Sequence, residues 1–469
     1  MDDKISSLLE WLRQDDEFYL NECVEIKDTV QSGRGVYLDC GELKLNTPIV
    51  SIPGDYQLNK VSVLSHISHF NNAIQGSIGN TPIKDASDYY KQTNDDDPRY
   101  KAYKLLTTSF LEKLSSFQLL SMYILAEWFL LPHWSNGKIT SFWKPFFECW
   151  PTNEELSTIP TIWALSNNPL TKELLNHLPE TSKTHVNRIS TLVSKDWEVL
   201  QNIFEVWSTL HACPTNDNMY GMDEIFNFFL RIYFTINSRC LYAEIPGNGD
   251  DTASNFTLVP YVDFFNHTVD PDVHCYPRVK YMKKGKCGIG KFEIYCGRYS
   301  YKDLDEQLYL NYGAHSNDFL LNEYGFLISN NHWNNLDISK ELKCILAKSP
   351  ETVAFLKEWD YWDDYTISVE DISYRIIIAL SHLTTRDTRK VTNLINGFMS
   401  EDYFRKENYR ILKNLLEQLK LNSISKITQL NKLTPYDDLT TLYVRNIANL
   451  YEDEIEIINK IITSISPGY

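Results

Sequence analysis

The fold of this chain depends on the stretch Leu258-Val259-Pro260-Tyr261-Val262-Asp263-Phe264-Phe265-Asn266-His267. An apolar run ends here in an acid, an amide and an imidazole. Polar groups at the end of a buried segment are costly unless they are hydrogen-bonded, so they normally have partners. The same region closes with two Tyr-Gly pairs, at 312–313 and 324–325. The residues from Leu258 to Phe326 therefore indicate a polar site held by a buried framework.

The composition indicates a globular protein with ample material for large cores. The chain has 469 residues, of which 43% are apolar and 13% aromatic, and such a length is typical of about three domains. Its formal net charge of −17 argues against direct nucleic-acid binding, because a sequence-independent binder needs a basic surface to displace counterions. An acidic surface would suit a basic protein substrate, although many acidic proteins use charge only for solubility.

The sequence gives no indication of a membrane or secreted protein. Met1-Asp2-Asp3-Lys4 lacks the basic start and apolar core of a signal peptide. The longest apolar run, Leu119 to Leu131, contains Glu127 and is too short and too charged to span a bilayer. The nine cysteines occur singly, without a Cys-x-x-Cys pair, and predict reduced thiols in an intracellular protein. We therefore expect a cytoplasmic location, with the nucleus as a second compartment.

The pattern of apolar residues divides the chain into regions of different secondary structure. Short apolar runs between turns predict strands up to about residue 53, and the strand pattern returns from 241 to 332. Long helical patterns fill the chain between these regions and continue after Trp333. The sequence thus predicts an α+β fold in which a strand-rich core is split by a helical insertion and followed by an all-helical domain. The predicted boundaries are 1–75 and 240–332 for the core, 76–239 for the insertion and 333–469 for the helical domain.

Several enzyme classes lack their minimal motifs here. The chain contains neither His-Glu-x-x-His nor Gly-x-Ser-x-Gly. His66 and His69 lie one helical turn apart, but a pair without a third ligand is more often an ordinary helix face, so we predict no metal. His274 and Cys275 are adjacent in a strand pattern and would point to opposite faces, which argues against a thiol protease.

Five segments carry a family resemblance through their order along the chain. They are Gly33-Arg34-Gly35-Val36, Asn237-Ser238-Arg239, Asp263-Phe264-Phe265-Asn266-His267, Gln307-Leu308-Tyr309-Leu310-Asn311-Tyr312-Gly313 and Ser316-Asn317-Asp318-Phe319-Leu320-Leu321-Asn322-Glu323-Tyr324-Gly325-Phe326. In this order they resemble a SET-domain methyltransferase of the class typified by the Rubisco large-subunit and fungal ribosomal-protein lysine methyltransferases. The resemblance runs from about Val24 to Phe326. It implies a SET β core with a long insertion, and the helical remainder looks like the C-terminal substrate-binding domain of that class.

The resemblance also implies S-adenosylmethionine as the cofactor and assigns residues to it. The glycine-rich strand would run along the cofactor, mainly through backbone contacts. Arg239 would bind the methionyl carboxylate, a charge-assisted contact that guanidinium groups make well. Asn266 and His267 would surround the adenine and the methionyl amine, and Asp263 would tie this segment in place as a structural partner. The cofactor-binding residues implied in this way are Ser32, Gly33, Arg34, Arg239, Asn266, His267, Tyr276 and Tyr312.

The resemblance also implies that aromatic residues of these motifs line the channel for the substrate lysine. Tyr312 matches the catalytic tyrosine of the first Tyr-Gly motif, and Tyr324 looks like a second wall of the lysine channel. Tyr276 follows a His-x-Tyr pattern at the place of a third aromatic residue. Methyl transfer to an amine is an in-line displacement whose main requirement is alignment. A lysine with a solution pKa of about 10.4 must also be held in its neutral form.

The resemblance favours a monomeric protein-lysine N-methyltransferase whose substrate is a ribosomal protein or a translation factor. Two departures from the family pattern, Asp305 in place of a common glycine and Asp318-Phe319 in place of an acidic-aliphatic pair, lie outside the proposed chemistry. A protein-histidine methyltransferase remains open, because the same scaffold serves both reactions. A catalytically silent SET-fold binding module also remains open, although a degenerate site would be expected to lose one of its motif residues.

Overall fold

A computed structural model describes residues 3–29, 33–74, 76–78, 81–82, 96–166, 168–210, 220–243, 245, 255–279, 290–435 and 437–466. The strands are β1 (Tyr19–Leu20), β2 (Val24–Thr29), β3 (Gly33–Leu38), β4 (Pro48–Ile52), β5 (Leu58–Asn59), β6 (Ser77–Ile78), β7 (Thr81–Pro82), β8 (Leu241–Tyr242), β9 (Phe256–Leu258), β10 (Asn266–His267), β11 (Tyr276–Val279), β12 (Phe292–Tyr295), β13 (Gln307–Leu310), β14 (Asn335–Asp337) and β15 (Thr366–Ser368). The mixed composition confirms the predicted α+β fold.

The helices fill the insertion and the C-terminal part of the chain. They are α1 (Asp3–Leu12), α2 (Lys60–Phe70), α3 (Arg99–Tyr103), α4 (Thr108–Leu111), α5 (Ser116–Ile124), α6 (Leu131–Trp134), α7 (Lys144–Phe147), α8 (Asn153–Leu156), α9 (Pro160–Leu165), α10 (Pro169–Leu175), α11 (Glu180–Thr209), α12 (Met222–Arg239), α13 (Asn317–Tyr324), α14 (Ser339–Leu346), α15 (Pro350–Glu358), α16 (Tyr374–Thr385), α17 (Thr388–Ile395), α18 (Asp402–Leu430) and α19 (Asp438–Ile465). A π-helical turn, Leu125–Leu130, joins α5 to α6. None of the described helices is long and apolar enough to cross a membrane.

The chain folds into two compact units. The first comprises Met1–Leu156 and Thr191–Gly313, and the second comprises Ser157–Ser190 and Ala314–Tyr469. Residues 157–190, which the sequence assigns to the insertion, thus belong to the same unit as the C-terminal helices. The four domains predicted from the sequence have different boundaries from these two units, and they stay a prediction.

One sheet of the first unit gathers three of the motif segments. Its strand order is β10-β13-β3-β2, with β10 and β13 parallel and the other neighbours antiparallel. Val36, Leu38 and Leu308 are fully buried, and Tyr37 between the first two is buried as well, so β3 is covered on both faces there. The register pairs Asn266 with Tyr309 and Leu308 with Val36. The sheet therefore brings the glycine-rich segment, the Asn-His pair and the strand before Tyr312 side by side.

A disulfide corrects the prediction that the thiols are all reduced. The antiparallel register of β2 and β3 pairs Val24 with Leu38. Cys23 and Cys40 therefore meet at the open end of this hairpin, where they form a disulfide. Their separation of 17 residues gave no local sign of the pairing, because it depends on the hairpin register.

Two short sheets correct the predicted helical regions. The insertion begins with the antiparallel strands β6 and β7, where β-branched residues and Pro82 disfavour a helix. The C-terminal region is not all helical, because β14 and β15 form an antiparallel pair. Each of these two strands places one buried apolar residue, Leu336 or Ile367, between polar neighbours. A buried residue between two polar ones is the alternation typical of a strand, but a run of three residues is too short to be recognised in the sequence.

The core of the second unit is built on the long helices α18 and α19. Buried residues of α16, including Ile376 and Leu380, pack with Leu412 and Leu416 of α18 and with Ile458 of α19. A second cluster joins the 157–190 segment to the same helices and contains Trp163, Leu174, Leu178, Val186, Leu430, Tyr443, Ile447 and Tyr451. The 157–190 segment therefore shares a hydrophobic core with the C-terminal helices.

A largely buried carboxyl in this unit, that of Glu454, makes stability depend on pH. Burial and the nearby acids Asp318, Glu341 and Asp453 raise the pKa of Glu454 to about 7, although Ser423 Oγ donates to Glu454 Oε2 at 2.7 Å. The folded state therefore holds a proton that the unfolded chain releases at lower pH. The stability that depends on this proton is complete below about pH 4.5 and is lost as the pH rises through about 7.

We expect Glu454→Gln to abolish the loss of stability that accompanies a rise in pH. At pH 8 the variant should be more stable than the wild type by about 2–3 kcal/mol, and at pH 4.5 the difference should vanish. Urea unfolding at the two pH values measures it, and Glu417→Gln, a change at an exposed position of α18, serves as the control. An equal effect at both pH values would contradict the assignment.

Candidate active site

The glycine-rich strand β3 lies directly against the Asn-His segment. Gly33 has a φ of +62°, in the left-handed region that glycine adopts without strain. The backbone carbonyl of Arg34 accepts a hydrogen bond from Asn266 Nδ2 at 3.2 Å. A Cβ atom on Gly35 would lie 2.3 Å from Gln307 Nε2 and 3.0 Å from Asn266 Nδ2. A larger residue at position 35 would therefore have to displace the ends of these two side chains.

The side chain of Arg34 turns toward residues of the insertion. Its Nη1 donates to the Cys149 carbonyl at 2.8 Å, and its Nη2 lies 3.1 Å from Glu155 Oε1. The guanidinium also lies 5.8 Å from the centre of the Phe264 ring. This side chain thus fixes β3 to the insertion.

Arg239, at the end of α12, forms an ion pair with Asp263. Its Nη1 lies 2.9 Å from Asp263 Oδ2 and donates to the Asp263 carbonyl at 3.0 Å. The Asp263 side chain is only 1% exposed, whereas that of Arg239 is 18% exposed. Burial raises the pKa of Asp263, and the positive charge of Arg239 opposes that rise. The pair ties α12 to the stretch before Asn266, and the contact of Arg239 with a methionyl carboxylate stays a prediction.

His267 and Tyr312 form a stacked pair. Their ring centres are 4.9 Å apart with an interplanar angle of 15°. The Tyr312 backbone N–H donates to His267 Nδ1 at 3.1 Å, so the neutral imidazole carries its proton on Nε2. The Tyr312 hydroxyl donates to the Phe265 carbonyl at 2.6 Å. Because its proton is committed to this carbonyl, the hydroxyl oxygen offers only lone pairs to a further group. The geometry assigns to His267 a positioning contact that the sequence did not predict.

Tyr276 lies apart from this cluster. Tyr276 is on β11, in the sheet β1-β4-β12-β11, and its ring stacks on Tyr295 at 6.0 Å. Its hydroxyl contacts Asn46 and accepts a hydrogen bond from Arg278 Nη2 at 2.7 Å. Ser32 lies outside the described residues. The cofactor contacts of Tyr276 and Ser32 stay predictions.

Tyr324 belongs to the second unit, where it ends α13. The following Gly325 has a φ of +82° and caps the helix. Polar contacts hold α13 from the side: Asn322 Nδ2 donates to Ser182 Oγ at 3.2 Å, and Glu323 Oε1 lies 2.5 Å from His185 Nε2. These contacts fix the helix that carries Tyr324, and its role as a channel wall stays a prediction.

Some features of the site had no assigned role in the sequence. The carbonyl of Phe265, the side chain of Glu155 and the amide of Gln307 each contact a motif residue. Phe265 and Gln307 lie in motif segments but had no assigned role, and Glu155 had no sequence signal at all. Among the residues that the structure describes, no group of three or more His, Cys, Asp or Glu side chains is arranged to hold a metal ion.

Comparisons with known proteins identify the family. Residues 334–464 match the family of the ribosomal lysine N-methyltransferase 2 C-terminal domain. The chain is 44% identical over 474 aligned residues to ribosomal lysine N-methyltransferase 2 of Saccharomyces cerevisiae, with 98% of each chain covered. It is 29% identical over 198 residues to a ribosomal lysine N-methyltransferase of Schizosaccharomyces pombe, covering 40% of this chain and 47% of that protein.

Solved structures show the same fold. The SET domain of LSMT bound to lysine and AdoHcy aligns with a TM-score of 0.55 at 16% identity, covering 99% of this chain and 91% of the other. Rubisco LSMT bound to AdoMet gives a TM-score of 0.54 at 15% identity, covering 99% and 94%. These alignments and the full-length identity confirm the predicted SET fold. The chain therefore belongs to the family of ribosomal lysine N-methyltransferases, which are SET-domain protein-lysine N-methyltransferases.

Proposed function

We propose that this S-adenosylmethionine-dependent lysine methyltransferase acts on a ribosomal protein. The observation that carries the proposal is 44% identity over 98% of both chains to an enzyme named for ribosomal lysine methylation. A translation factor is the second substrate class that the sequence suggests. The net charge of −17 supports a basic partner, because opposite charges steer protein encounters.

We infer that the cofactor lies along β3, beside Gly33–Gly35 and Asn266. The cofactor supplies a methyl group on a positively charged sulfur. Two features of the chain fit such a ligand. The backbone of Gly35 carries no Cβ and is flanked by two amides. The Arg239 guanidinium is partly exposed beside a buried carboxylate and can bind an anionic group. A glycine inside a strand is also common where a ligand approaches the backbone closely.

The Tyr312 hydroxyl suits the positioning of an amine. Its proton is held by the Phe265 carbonyl at 2.6 Å, so its oxygen can accept a hydrogen bond from a substrate N–H. An amine held in this way keeps its lone pair for the methyl group. A lysine must first lose its proton, and a half-buried aromatic site favours the neutral amine because burial disfavours the charged form. The stack on His267 limits rotation of the tyrosine ring and so fixes the position of this acceptor.

We also propose that the protein works as a monomer in the cytoplasm, with the nucleus as a second compartment, and without direct nucleic-acid contact. These proposals rest on the acidic charge and on the resemblance described above. Size-exclusion chromatography with light scattering tests the oligomeric state. Imaging of a tagged chain in cells tests the compartment.

The function is tested by labelling. The purified protein is titrated with S-adenosylmethionine in a calorimeter and then incubated with a radiolabelled methyl donor and a ribosome-rich lysate, which holds ribosomal proteins and translation factors, from cells that lack it. We expect saturable binding and label on a lysine of one ribosomal protein. Label on histidine would replace the proposal with histidine methylation. Binding without label in any fraction would indicate a silent module, and label confined to a translation factor would move the substrate to that class.

A further inference from the structure

The side chain of Gln307 is buried in the candidate site without a hydrogen bond for its amide nitrogen. Gln307 opens β13 and pairs with Tyr37 of β3. The residue is 8% exposed, and in the part of the chain that the structure describes Nε2 has no hydrogen-bond partner. Buried amides are nearly always paired, so an unpaired one needs an explanation, such as a missing ligand or water.

The unpaired amide points at the glycine-rich strand. Gln307 Nε2 occupies the space beside Gly35, 2.3 Å from where a Cβ would lie, and Asn266 Nδ2 approaches the same point at 3.0 Å. Asn266 Nδ2 already donates to the Arg34 carbonyl. Two amides therefore converge at Gly35, and one of them retains N–H groups for an acceptor.

We propose that Gln307 is a further cofactor-binding residue, whose Nε2 donates to an acceptor atom of bound S-adenosylmethionine. The inference rests on the proposed position of the cofactor along Gly33–Gly35. An amide N–H cannot bind the methionyl ammonium, which has no lone pair, and the positively charged sulfonium sulfur is too poor an acceptor to attract it. The acceptor is therefore in the methionyl carboxylate or in the nucleoside part, whose ribose oxygens and ring nitrogens can accept.

The test compares cofactor affinity with stability for Gln307→Leu. If Nε2 has no protein partner, an apolar side chain of similar size removes no hydrogen bond, and the melting temperature without ligand should not fall. The same change should weaken binding of S-adenosylmethionine and S-adenosylhomocysteine about tenfold in calorimetry. Gln307→Glu keeps the size but replaces the donor with a negative charge, and it should weaken binding at least as much.

A truncated ligand locates the acceptor. 5′-Methylthioadenosine keeps the adenine and ribose but lacks the methionyl amine and carboxylate. If Gln307→Leu weakens the two full-length ligands and leaves 5′-methylthioadenosine unchanged, the acceptor is the carboxylate. If all three weaken equally, the acceptor is in the nucleoside. Both results support the proposal.

Gln57→Leu is the matched control. Gln57 is also a buried amide, but its Nε2 donates to the carbonyls of Ile52 at 3.1 Å and Gly290 at 2.8 Å. Its replacement should lower the melting temperature and leave cofactor affinity unchanged. Affinity of Gln307→Leu within twofold of the wild type, for all three ligands, would overturn the inference and indicate packing or a buried water. A wild-type protein that fails to bind S-adenosylmethionine would instead overturn the proposed function.

Discussion

Tyr312→Phe is expected to lower kcat about 10²–10³-fold, the usual loss when one preorganised polar contact is removed from a reacting centre. The affinity for S-adenosylmethionine should stay within about twofold, because the ring and its stack on His267 remain. The variant loses the hydroxyl that is bonded to the Phe265 carbonyl at 2.6 Å, and with it the proposed acceptor for the substrate amine. Single-turnover methylation at saturating cofactor measures the chemical step, and calorimetry measures binding.

Tyr365→Phe is the control for this change. The Tyr365 hydroxyl also donates to a backbone carbonyl, that of Tyr361 at 2.8 Å, but Tyr365 belongs to the second unit and to none of the site motifs. Removal of this hydroxyl should lower the free energy of unfolding by about 1 kcal/mol and leave kcat unchanged. If the two variants methylate equally well, Tyr312 is not the catalytic tyrosine, even though the fold and the family stand.

The sequence predicted best those features that are local in the chain. The Asn266-His267 pair and the glycine-rich strand could be recognised because each motif is short and their order is preserved. The strands that carry them follow from apolar alternation. The SET fold and the lysine methyltransferase class were therefore accessible from the sequence, and both are confirmed by the comparisons.

The side-chain partners in the site were not predictable, because they are distant in the chain. Arg34 reaches Glu155 across 121 residues, and the Tyr312 hydroxyl reaches the Phe265 carbonyl across 47. Such pairs depend on strand register and on which residues of the insertion contact the sheet. The Cys23–Cys40 disulfide has the same origin, since the hairpin register alone brings the two sulfurs together. For the same reason the association of residues 157–190 with the C-terminal helices could not be read from periodicity.

Arg239→Ala is expected to have a large effect on stability as well as on cofactor binding. The change leaves the Asp263 carboxylate, 1% exposed, without its charged partner, and breaking a buried pair in this way costs about 3–5 kcal/mol. If Arg239 also binds the methionyl carboxylate, the affinity for S-adenosylmethionine should fall about tenfold or more. Urea unfolding and calorimetry on the same samples measure the two effects. Arg410→Ala, which breaks the exposed 2.9 Å pair with Glu407, should change stability by less than about 1 kcal/mol.

The double variant Arg239→Ala, Asp263→Asn separates the two roles of the arginine. Neutralising Asp263 removes the unpaired charge, so most of the lost stability should return, whereas the cofactor affinity should stay low. In the single variant the pKa of Asp263, already raised by burial, should rise further. The carboxyl then takes up a proton as the pH falls, and the stability deficit should be smaller at pH 5 than at pH 8. Recovery of affinity together with stability would mean that Arg239 serves the cofactor only by holding Asp263 in place.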